Sequence, residues 1–127
     1  MGLAHIIHLM FSDAVLAHFR NPHNAGELSD ASSIVEVTNP VCGDVLRLSV
    51  RVDNGIISAA RFKTQGCVAA IASSSILTDM LTGKSLVEAR GITAEQISVA
   101  LGGLPPATFH AAHLCADGVE AILLKLT

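Results

Sequence analysis

A chain of 127 residues, half of them apolar and only 15% charged, has the size of one domain and the composition to bury a substantial core. Its net charge of −3 and pI near 6.0 exclude an electrostatic nucleic-acid binder, and four phenylalanines without tryptophan or tyrosine leave little on which bases could stack. A mean hydropathy of +0.54 predicts an exposed apolar patch for a partner or a second copy.

The opening MGLAHIIHLMF is apolar but far below the ~20 residues of a membrane helix. It lacks a basic n-region and a small-residue cleavage site, so it reads as a flexible end or the start of a first helix. Three cysteines without disulfide-framework spacing, in a chain with no export signal, predict free or metal-bound thiols in a reducing cytoplasm. Residues 15–19 fit a short helix entered through Ser12 or Asp13 and stopped by RNPHNAG. Residues 21–33 are polar and turn-rich and read as a loop.

IVEVT alternates, VLRLSVRV alternates strictly, and IISAARFKT follows the turn Asp53-Asn54-Gly55, which together predict antiparallel pairing with one solvated face. Leu46, Leu48, Val50 and Val52 would point to the core, and Arg47, Ser49 and Arg51 to the other side. After Gly66 the period becomes helical through CVAAIASSSILTDMLTG, which stops at Gly83. Ala72, Ser73, Ser74 and Ser75 would form its close-packing face. Ser85 with Glu88, and Thr93 with Gln96, are capping boxes for two short helices. The break GGLPP precedes a final helix over residues 108–126, with Leu114, Ile122 and Leu123 in the core. Strands first and helices after predict one α+β domain over residues 1–127, a three-stranded antiparallel sheet with helices on one face.

Chemistry-bearing side chains fall at the junctions of these elements. Cys42 lies in NPVCGD at the turn into a strand, where Cys42 and Asp44 can share a side. Cys67 lies where a strand gives way to a helix, so the helix dipole would lower its thiol pKa, and Gly66 would permit a costly backbone turn. The alternative for Cys67 is a small buried apolar residue. His110 follows the two prolines that open the last helix. Two thiols and an imidazole in such positions suit a soft transition metal, iron–sulfur chemistry or a sulfur relay.

The segments HFRNPHNAG, NPVCGD, QGCVAAIASSSILTDMLTGKSLVEA and LPPATFH, in this order and spacing, resemble the IscU and NifU N-terminal family of iron–sulfur cluster assembly scaffolds over roughly residues 13 to 126. The resemblance implies the same architecture, IscU/SufE-like, and a scaffold or carrier rather than an enzyme. It implies that a labile [2Fe–2S] cluster or iron, or alternatively Zn2+, is held by Cys42, Asp44, Cys67 and His110. It also implies a cysteine desulfurase and apo Fe–S clients as partners, with no nucleic acid and no membrane.

Two positions depart from the family pattern. Ala111 stands where the third family cysteine follows the histidine, and Thr108 where the LPP segment carries a lysine, so recognition by an Hsp70-type chaperone is not carried over. Cys115, one helical turn beyond Ala111, is a possible substitute ligand or a core residue. Ala111 also keeps two rival readings open: a degenerate zinc-binding relative, and a sulfur relay that uses Cys67 alone. No insertion separates Cys67 from LPP, which favours the IscU-like branch over zinc-dependent sulfur acceptors of the SufU type.

Overall fold

The computed structural model describes residues 10–126; the opening segment, apart from its last two residues, lies outside them. Helix α1 (Asp13–Arg20) is entered through Ser12, whose Oγ accepts from the Val15 amide while its hydroxyl donates to the Leu101 carbonyl. Strands β1 (Ser33–Thr38), β2 (Val45–Asp53) and β3 (Ile56–Gln65) form one antiparallel sheet in the order β1-β2-β3. Helices α2 (Val68–Leu81), α3 (Leu86–Ala89), α4 (Ala94–Ala100) and α5 (His110–Leu126) follow, with a 3-10 turn at Pro106–Thr108. The architecture is α+β, as expected, and no described helix is long and apolar enough to cross a membrane.

The strand alternation sets the core. Leu46, Leu48 and Val50 of β2 are fully buried, and Val35 and Val37 pair opposite Leu48 and Leu46 on the same face. Asn54 and Gly55 both have positive φ, which the two-residue hairpin turn requires. A register shift between Arg51 and Val52 leaves Ser58 as the extra residue of β3, where Arg51 Nε donates to its hydroxyl. Val52, next to that bulge, is half-buried rather than a full core residue.

The outer face of the sheet is less solvated than alternation predicts. Ser49 is buried, because the loop after α1 crosses above it: the Leu28 amide donates to Ser49 Oγ. Glu27 and Asp30 of the same loop pair with Arg47 and Arg51. The loop begins as an extra rung beside β3, exchanging backbone bonds between Asn24, Gly26 and Phe62.

On the inner face, α2 packs against β3, α1 and α5, while α5 crosses β1 and β2. The small residues Ala72, Ser73, Ser74 and Ser75 are fully buried, which allows close approach. Gly118 does the same for α5, since a Cβ there would lie 2.8 Å from Leu46 Cδ2. Leu114, Ile122 and Leu123 are core residues. Both capping boxes form, with Ser85–Glu88 and Thr93–Gln96 bonded reciprocally, and Gly83 follows the α2 cap with φ +89°. The last helix starts later than its sequence suggests, because Pro105 and Pro106 support only a 3-10 turn before His110.

Candidate metal centre

Three chain segments meet at the start of α2. The NPVCGD turn is tied by Asn39, whose side-chain oxygen accepts from the amides of Val41 and Cys42 and whose carbonyl accepts from Gly43. Gly43 has φ +78°, which brings the chain round to place Asp44 at the entry of β2. Asp44 is buried, and its carboxylate is the hub of the site. Its Oδ2 lies 3.6 Å from His110 Nε2 at the first residue of α5 and accepts from Cys67 Sγ at 3.6 Å. Cys67 is the N-cap of α2. Donor atoms of Cys42, Asp44 and His110 lie within 4.8 Å of one another.

Gly66 is needed here for space, not for an unusual φ. A Cβ at this position would lie 2.7 Å from Asp44 Cγ and 3.0 Å from Ala70 Cβ, so the glycine clears the volume that the carboxylate occupies. The expected activation of Cys67 by the helix dipole is also corrected. Partial burial raises its thiol above the ordinary value; the amides of Ala70 and Ala69 pull it down, but the Asp44 carboxylate adds to the rise. Cys67 is therefore better suited to losing its proton to an incoming cation than to standing as a free thiolate.

Cys115 does not join this group. It is fully buried with Ser74 Oγ 3.9 Å away, and burial pushes its thiol up to about 12. Ala111 is fully buried on α5, one residue past His110. Cys42 and Cys67 are both exposed, so the cradle opens to solvent. Two thiols, one carboxylate and one imidazole can close a tetrahedral zinc site or take a mixed-ligand iron–sulfur cluster.

A second cluster, His18, His23 and Asp79, escaped the sequence reading. Its members come from α1, the following loop and the last turn of α2. HFRNPHNAG supplies both histidines, but no local spacing ties them to Asp79, 56 residues beyond His23.

Comparison with known proteins places this geometry. The family model described as the NifU-like N-terminal domain matches residues 10–126. The iron–sulfur cluster assembly scaffold protein IscU of Haemophilus influenzae is 44% identical over 119 residues, covering 91% of this chain and 94% of that protein. IscU 1 of Archaeoglobus fulgidus is 43% identical over 115 residues, covering 91% and 75%. Among solved structures, a SUF-system protein of Fervidobacterium islandicum superposes with a TM-score of 0.72 at 18% identity, covering 91% of this chain and 98% of that one, a likeness of fold.

Proposed function

The chain belongs to the family of NifU-like N-terminal domains, and from that premise we propose that it is a scaffold for iron–sulfur cluster assembly. The observation that carries the reading is the shared Asp44 Oδ2, 3.6 Å from both Cys67 Sγ and His110 Nε2, with a donor atom of Cys42 close by. In this reading the protein accepts persulfide sulfur from a cysteine desulfurase, which ferrous iron and an external electron donor reduce to sulfide, and passes the resulting [2Fe–2S] cluster as cargo to apo-proteins in the cytoplasm. It is a carrier, not a catalyst.

Each residue has a distinct part. Cys42 and Cys67 are the thiolate ligands, and their exposure lets a donor or client reach the bound cluster. His110 supplies the imidazole. Asp44 contributes a hard oxygen ligand, which binds iron more weakly than a thiolate and so favours release. Ala111 leaves the set one thiolate short, and Thr108 removes a cation from the LPP segment, which counts against an Hsp70-type chaperone as partner.

Ala111 also supports a second reading, a zinc site closed by the same four side chains that builds no cluster. Anaerobic incubation with ferrous iron, cysteine, a cysteine desulfurase and a thiol reductant that converts the persulfide sulfur to sulfide, followed by addition of an apo [2Fe–2S] client, separates the two. The scaffold develops visible cluster absorption that moves to the client. A protein that retains one zinc ion and develops no absorption overturns the scaffold reading.

A further inference from the structure

His18, His23 and Asp79 lie at the end of α2 opposite the cysteine cradle. Asp79 is twelve residues beyond Cys67, about 18 Å along the helix axis. One nitrogen from each imidazole and one carboxylate oxygen lie within 4.8 Å of one another. We propose that these three side chains form a second metal site, taking a first-row divalent cation such as Zn2+ or Fe2+ through two imidazole nitrogens and one carboxylate oxygen.

The three donors are held by side chains behind them. Ser75, fully buried in α2, places its Oγ 2.7 Å from His18 Nδ1, and the same oxygen accepts from the His23 backbone amide at 2.8 Å. One hydroxyl thus fixes both the His18 ring and the chain position of His23. Asn24 Nδ2 donates to Asp79 Oδ1 at 3.2 Å and to the buried Thr78 Oγ1 at 3.1 Å, which orients the carboxylate and leaves Oδ2 toward the histidines. Partners of this kind set the direction of metal-bound imidazoles and carboxylates. Asn24 itself sits at φ 60°, a conformation that brings its amide to this position.

His23 Nδ1 and Asp79 Oδ2 are 2.6 Å apart, a hydrogen bond that an ion would have to open. Ligand pairs in a tetrahedral zinc site are about 3.3 Å apart, given metal–ligand bonds near 2.0–2.2 Å. Both side chains are well exposed and have room for that shift. The rings of His18 and His23 are 4.6 Å apart and tilted by 53°, so they are not stacked face to face. The field favours a cation too: Asp79 lies in the last turn of α2, where the helix carries partial negative charge and has no basic residue of its own.

Two imidazoles and one carboxylate leave coordination positions to water, so the ion is exchangeable rather than a sealed structural metal. The absence of a thiolate from the set distinguishes this site spectroscopically from the cradle. This inference stands apart from the scaffold reading, since it uses none of the cradle's residues.

The test is a Co2+ titration of the full chain under reducing, anaerobic conditions, followed by visible absorption and by bound-metal analysis. The expected result is two ions per chain, one with thiolate-to-cobalt charge transfer and one without. His23→Ala, and separately Asp79→Asn, remove the ion without charge transfer and leave the other in place, with unchanged circular dichroism. Zn2+ displaces that second ion at comparable concentration and Fe2+ only in excess, as the order of divalent affinities requires, whereas Mg2+ does not. The proposal is overturned if the wild-type chain binds no ion free of thiolate charge transfer, if His23→Ala retains that ion, or if Mg2+ competes equally. Loss of the second ion in a His5→Ala plus His8→Ala variant, with His23→Ala still binding it, also overturns it.

Discussion

Cys67 and Cys115 are two thiols of one small protein in opposite surroundings. Cys67 sits at the N-cap of α2, exposed, with a carboxylate beside its sulfur and an imidazole on the far side of that carboxylate. Cys115 lies on the inward face of α5, fully buried in the core, with the Ser74 hydroxyl 3.9 Å from its sulfur. The position within an element decides the chemistry. An N-cap ends a strand–helix junction and faces other loops, whereas an inward mid-helix position faces packed apolar atoms. A cysteine one turn from the expected ligand position is thus a core residue rather than a substitute ligand.

The largest expected effect that sharpens this contrast is in thiol reactivity. A thiol pushed up to about 12 has roughly a thousandfold less thiolate at neutral pH than one at the ordinary value of 9.0, and burial blocks access as well. Mass-spectrometric labelling of metal-free protein should modify Cys42 and Cys67 while Cys115 stays intact until the chain unfolds. Early labelling of Cys115 would break the comparison.

The next effect concerns the space beside Asp44. Gly66→Ala sets a Cβ 2.7 Å from Asp44 Cγ and should cost about 1–3 kcal/mol of stability, as overpacking does. Metal affinity at the cradle should fall with it. Gly118→Ala, whose Cβ would lie 2.8 Å from Leu46 Cδ2, should cost a similar amount by denaturant titration yet leave metal affinity unchanged.

A smaller effect is expected from Ala111→Cys, which places a third thiol next to His110. A further thiolate binds iron more strongly than the carboxylate it would replace, so the cluster should decay more slowly under identical anaerobic conditions. Cys115→Ala should not change that decay.

The smallest is an alkaline one. Cys115 has a higher pKa in the folded chain than in the unfolded chain, so the folded state holds the proton longer and stability is lost as pH rises from about 9 toward 12. The chain has no tyrosine to titrate in the same window. Cys115→Ala should flatten the fall in melting temperature across that range, at a small cost in stability at neutral pH.

Much of this was legible in the sequence because the deciding signals are local. Alternation in VLRLSVRV, the Asn54-Gly55 turn and the two capping boxes each specify structure over a few residues, and the turn and caps appear as read while the alternation holds except at Ser49 and Val52. Cys42, Asp44, Cys67 and His110 could be picked out as candidates because each stands at an element junction and in a family motif, and the structure brings Cys67 and His110 to Asp44. Features that depend on distant packing were not legible. Ser49 is buried by a loop whose Leu28 amide lies 21 residues earlier, and Gly66 is required by a carboxylate that the sheet brings alongside. The histidine–aspartate cluster exists only because α1 packs on α2.

A cluster held as proposed sits on the Asp44 cradle and not at the buried thiol. Anaerobic reconstitution with iron and sulfide, followed by visible circular dichroism, tests it across three proteins. Wild-type and Cys115→Ala chains should give the same cluster signal, while the Cys42→Ala plus Cys67→Ala chain should give none. A double variant that still assembles a cluster, or a Cys115→Ala chain that assembles none, would contradict it.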